Sequence, residues 1–229
     1  MEEYLKEFLH DRQCEGRYAS FDYCYNYFYS FYKRDKLRDL SLPENIQMSC
    51  LQIGFYLASW GMFRGSSKIT QKSVKYFEPL IKWISEADKK FWEIDVDSYN
   101  DENVRQKLIE AFNEIRKVLR NGQNINVSIV LVTKIMLGIF SNVPAFDVNV
   151  KHFFQINNNR QTIGDDELIR IYTFYTQNRD LIDKYSANIH TFDFSSCKQT
   201  NINYKKAKII DMIGFIGGQH GTHFNDFNQ

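Results

Sequence analysis

The sequence predicts an all-α protein, a single two-lobed helical domain over residues 1–229. Three observations carry that expectation. The chain has only 3 Pro and 11 Gly, so few positions break a helix. Apolar residues recur at the helical period of about 3.6 along most of its length. Alternation at period 2 is confined to His190 to Phe194.

Taken in order, Glu2 to Arg12 reads as a first helix and Ala19 to Lys33 as a second, whose stripe of Phe21, Tyr25, Phe28, Tyr29 and Tyr32 fits core packing better than base stacking. Ser41-Leu42-Pro43-Glu44 is a helix start with Pro in the first turn, and the helix runs through Ile46 and Phe55 to Trp60. Thr70 opens another through Val74 and Phe77 to Trp83, and Asp88 to Ile94 is a connector. Ser98 or Asp101 then starts a long amphipathic helix that Asn121-Gly122 closes with a left-handed cap. Val127 to Phe140 is the most apolar segment and holds one charge, Lys134. A helix from near Phe146 stops before Asn157, the chain is helical from Asp165 to Tyr185, and a closing helix spans about Asn203 to Phe215. Glu86 to Asp97 and Asp193 to Thr200 are the expected crossings between lobes.

Composition narrows the function classes. With 29 Lys+Arg against 28 Asp+Glu, the chain lacks the overall basic excess of a dedicated nucleic-acid binder, which leaves a local basic face as the route to such binding. Its start carries no secretory h-region, and its apolar runs fall short of the ~20 residues that span a bilayer. Cys14, Cys24, Cys50 and Cys197 stand singly and read as reduced thiols, so a cytoplasmic protein without membrane contact is expected. His220 and His223 lack a third close ligand, and neither a metal nor a cofactor is expected.

Lys134 and Asp147 are the first candidates for chemistry. A lysine on an apolar helix is a nucleophile in waiting or a side chain snorkelling to water. Asp147, after Val143-Pro144-Ala145-Phe146, is a catalytic carboxylate or a plain helix cap. Arg64-Gly65-Ser66-Ser67-Lys68 offers two cations and two hydroxyls to a phosphate, or is a polar turn. Beside it Trp60 either stacks on a base or packs in the core. Lys198, Lys205, Lys206 and Lys208 form a basic run that suits a nucleic-acid backbone or a solvated face.

The order of Leu51 to Trp60, a long helix, Leu131-Val132-Thr133-Lys134, an apolar half-helix, and Val143 to Asp147 followed by Val148 to Phe154 resembles the helix-hairpin-helix (HhH-GPD) base-excision DNA glycosylases, over roughly residues 47–154. The resemblance implies a fold of that type and a DNA partner. It places Lys134 at the nucleophile of the bifunctional members and Asp147 at the catalytic aspartate. It also turns the loop of Arg64, Ser66, Ser67 and Lys68 toward DNA, with Trp60 beside it; Lys205 and Lys206, outside the matching stretch, are DNA-binding candidates through the basic run alone. Two features depart from the family: Leu131-Val132-Thr133 stands where the hairpin glycines would be, and the spacing from Lys134 to Asp147 is short. They support the alternative expectation, a non-catalytic nucleic-acid or nucleotide-binding or protein-interaction domain on the same scaffold.

Overall fold

A computed structural model describes residues 1–64 and 68–227. Among them the helices are α1 (Glu2–Asp11), α2 (Ser20–Lys33), α3 (Pro43–Ser59), α4 (Glu78–Glu86), α5 (Glu102–Arg120), α6 (Ile129–Phe140), α7 (Val148–Phe153), α8 (Asp165–Gln177), α9 (Arg179–Asn188) and α10 (Lys206–Gln219). One antiparallel hairpin joins β1 (His190–Phe192) to β2 (Gln199–Asn203). The mainly helical character matches expectation, and β1 falls in the period-2 alternation, whereas β2 lies beyond it. No helix of the described residues is long and apolar enough to cross a membrane.

Local chemistry explains the boundaries. Asp101 caps α5 by accepting the Asn103 amide at 2.8 Å, and Asn121 and Gly122 end it at φ 45° and 72°. Ser128 accepts the Leu131 amide at 3.2 Å and starts α6. Two expectations are corrected. The helix foreseen from Thr70 to Trp83 is broken into two 3-10 turns, Lys68–Gln71 and Val74–Phe77, before α4. Pro79 accounts for the break just before α4, since its ring would clash with the Lys75 carbonyl of a continuous helix; it is tolerated in the first turn of α4. The helix foreseen from Asp165 to Tyr185 divides at Asn178, whose side chain donates to the Phe174 carbonyl at 2.9 Å.

The centre of the fold is α6, buried on every side from Leu131 to Phe140. It packs against α2, α3 and α5, with the Tyr56 ring of α3 lying on Gly138. Of the aromatic stripe of α2, Phe21, Tyr25 and Phe28 are buried in the core, while Tyr29 and Tyr32 are half-buried against it. Around this centre α10 packs on α1, α7 and α9. Gly218 lets α7 come close, because a Cβ there would run into the Asn149 carbonyl.

The N-terminal segment is tied to the hairpin by buried polar groups. Arg12 donates to the His190 carbonyl at 2.9 Å, to the Tyr204 hydroxyl at 2.5 Å and to Asp22 at 3.5 Å. Asp22 also accepts the Phe192 amide at 2.9 Å and the Tyr204 hydroxyl. Beside this cluster Cys14 and Cys197 form a disulfide, which corrects the expectation of four reduced thiols; Cys24 and Cys50 are free and buried. Spacing could not reveal a partner 183 residues away, and the expected cytoplasmic location loses its cysteine argument.

Gly218→Ala is expected to push α7 off α10 and lower the unfolding free energy by about 2 kcal/mol, as read by urea denaturation. Asp22 yields a pH signature. Burial raises its carboxyl from 3.8 to about 6, against the opposing pull of Arg12 and its hydrogen-bond donors. Between those values the native state binds more protons than the unfolded chain, so this group's contribution to stability falls as pH rises through the window and is level above it. Relative to Asp22→Asn, the wild type should lose about 2–3 kcal/mol of unfolding free energy from pH 4 to pH 7.

Candidate functional site

Lys134 reaches its position from the middle of α6 and Asp147 from the cap of α7, 13 residues later in the chain. Between them Ser141 ends α6 in the left-handed region at φ 51°, and the chain turns back through buried Val143 to Phe146. Three hydrogen bonds fix the end of that turn. The Ala145 amide donates to Asp211 Oδ1 at 2.9 Å, the Phe146 amide to Thr133 Oγ1 at 2.9 Å, and the Asp147 amide to the Ala145 carbonyl at 2.9 Å.

Asp147 Oδ1 then accepts the Asn149 and Val150 amides at 3.1 Å each, the geometry of a helix cap. Its other oxygen, Oδ2, lies 3.2 Å from Lys134 Nζ. Cap and ion partner are therefore one group, and the two readings of Asp147 do not compete. Lys134 does not snorkel: its side chain is 5% exposed and that of Asp147 16%, so the carboxylate is the member that meets solvent. The Lys134 ammonium stands 4.8 Å from the centre of the Trp60 ring. Trp60 is half-buried, stacked on Tyr18 at 5.4 Å, with the exposed Arg17 guanidinium over it at 5.6 Å.

Other predicted residues lie elsewhere. Arg64 lines a cleft of about 820 Å3 with Lys72, Tyr76, Asn126, Ser128 and Leu131. Leu131 is three residues before Lys134 on α6, yet neither Lys134 nor Asp147 lines that cleft. Lys68 opens a 3-10 turn, and Ser66 and Ser67 lie outside the described residues. Leu131-Val132-Thr133 sits inside α6 and forms no turn.

Lys205 is engaged within the protein. Its amine donates to the carbonyls of Ile94 at 2.7 Å, Trp92 at 2.9 Å and Phe140 at 3.0 Å, and burial lowers it to about 8. With three hydrogens on three carbonyls, it has none left for a phosphate. Lys206 pairs with Asp97 at 2.9 Å. Among the described residues no group of three His, Cys, Asp or Glu is placed to hold a metal ion.

Sequence reasoning missed four contributors: Thr133, Lys151, Lys208 and Asp211. Lys151, one turn beyond Asp147, is 6% exposed, donates to the Asn158 carbonyl at 3.1 Å and is lowered by burial. Lys208 opens the apolar stretch of α10, but with Lys205 and Lys206 beside it reads as part of the basic run.

No protein-family model, curated protein or solved structure matches the chain. Stability separates the two members of the pair. Lys134→Met leaves Asp147 two amide donors and access to water, so the unfolding free energy should change by less than about 1 kcal/mol. Asp147→Ala removes the cap of α7 and strands a buried ammonium, at a cost of about 3–5 kcal/mol in urea unfolding.

Proposed function

We propose that the chain is a DNA glycosylase of the helix-hairpin-helix type, which takes a flipped, modified base and cleaves its N-glycosidic bond with Lys134 and Asp147. The observation that supports the reading is the pair itself. The two residues that the resemblance names come from different helices and stand 3.2 Å apart, with the ammonium above an indole. A buried ammonium carries a desolvation cost that its pairing with Asp147 offsets, so the pair adds little to stability and a chemical task is a reason for it.

In this reading Asp147 Oδ2 takes the ammonium proton, and the free amine of Lys134 attacks C1′ of the sugar. The bond from C1′ to the base breaks, its electron pair leaves on the base, and the base takes up the proton that Asp147 Oδ2 received. Opening of the sugar ring then leaves a Schiff base on Lys134. Once it has passed that proton to the departing base, the ionised Asp147 carboxylate steadies the positive charge left on the sugar. In this reading Arg64 and Lys72 meet the DNA phosphates from the cleft beside α6. A non-catalytic DNA-binding role is favoured by one observation, the placement of Leu131-Val132-Thr133 inside α6 in place of a glycine turn.

Borohydride decides between them. With duplex DNA carrying an abasic sugar, the wild type should give a covalent protein–DNA adduct, and Lys134→Ala should give none while keeping its fold. Binding of that DNA without an adduct, and without base release from a panel of modified DNAs, supports the non-catalytic role. Absence of binding even at low salt removes DNA as the partner.

A further inference from the structure

A second lysine–aspartate pair is buried beside the first. Lys208 and Asp211 stand one turn apart on α10, 1% and 5% exposed, with Lys208 Nζ 2.8 Å from Asp211 Oδ2. The Lys208 ammonium lies 4.7 Å from the ring centre of Phe21, 4.9 Å from Phe8 and 5.6 Å from Trp60, the same indole that Lys134 faces. Two apolar side chains of similar volume would fill this space with no ions to desolvate. Packing alone does not account for the pair.

Its second oxygen shows what the pair holds. Asp211 Oδ1 accepts the Ala145 amide, and the Ala145 carbonyl accepts the Asp147 amide, each at 2.9 Å. The amide between them, Phe146, is held by Thr133 on α6. Both oxygens of Asp211 are thereby committed, one to the ammonium and one to the turn. An ionised carboxylate serves here because it only accepts, so no rotation can present a donor to Ala145.

We propose that Lys208 and Asp211 are positioning residues for the Lys134–Asp147 pair: Lys208 holds the Asp211 carboxylate on the Ala145 amide, and that hydrogen bond aims Asp147 at Lys134. The consequence for reaction rate rests on the glycosylase reading; the aim of the carboxylate does not.

Two double variants separate the possibilities. Lys208→Met/Asp211→Leu removes both charges and the acceptor for Ala145 at nearly constant volume, a replacement that buried pairs often tolerate. Lys208→Met/Asp211→Asn removes the charges and keeps an amide oxygen for Ala145. Hydrogen exchange at Asn149 and Val150, whose amides Asp147 Oδ1 accepts, reads the aim of the carboxylate, and amides from Ile135 to Ile139 in α6 report global stability.

The Leu-containing variant should exchange about tenfold faster at Asn149 and Val150 relative to α6. It should also form the borohydride adduct about tenfold more slowly at saturating abasic DNA, with an unchanged half-saturating concentration. The Asn-containing variant should restore both to within about threefold of wild type. Unchanged exchange at Asn149 and Val150 overturns the proposal. So does equal acceleration in α6 and α7, which marks a merely structural pair. If the exchange pattern holds while the wild type forms no adduct, the glycosylase reading fails and the positioning role stands.

Discussion

A helix with no face it can show to water must be enclosed, and α6 is such a helix. Every side chain from Leu131 to Phe140 is buried, including a lysine. That constraint recruits α2, α3 and α5 as walls and explains why so much of the aromatic content faces inward. It also decides the fate of Lys134. On an amphipathic helix its amine would reach solvent; here it can only meet what the enclosure supplies, the Trp60 ring and the Asp147 carboxylate.

The helical architecture was legible because its signals are local. Asp101 and Asn121-Gly122 mark helix ends by chemistry confined to one turn, and both act as read. The bringing together of Lys134 and Asp147 was suggested by the order of motifs. What escaped depends on distance in sequence. The Cys14–Cys197 bond, the carbonyl cage around Lys205 and the reach of Asp211 to Ala145 join segments that no short-range pattern connects. The break before α4 was different in kind: Pro79 was in view, and the apolar period was followed across it.

The lysines of the basic run show why charge counting misleads. Lys205, Lys206 and Lys208 look alike in sequence, yet one satisfies backbone carbonyls, one pairs with Asp97 at the surface and one is sealed among aromatic rings. Lys205 precedes α10 and meets its carbonyls outside that helix, whereas Lys208 lies on the face of α10 that is buried. Lys134 differs in standing alone among apolar residues, whereas Lys208 has charged neighbours in sequence that hide its burial.

Placement of the Asp211 acceptor on α10 sets an order of events in biosynthesis. Ala145 leaves the ribosome 66 residues ahead of Asp211, which at about 5–20 residues per second is a delay of several seconds. Throughout that interval the turn before Asp147 lacks its partner on α10. A nascent chain, or one cut short before Asp211, therefore carries Lys134 and Asp147 without the arrangement that sets them against each other. Maturation of the pair is a late step, coupled to the docking of α10.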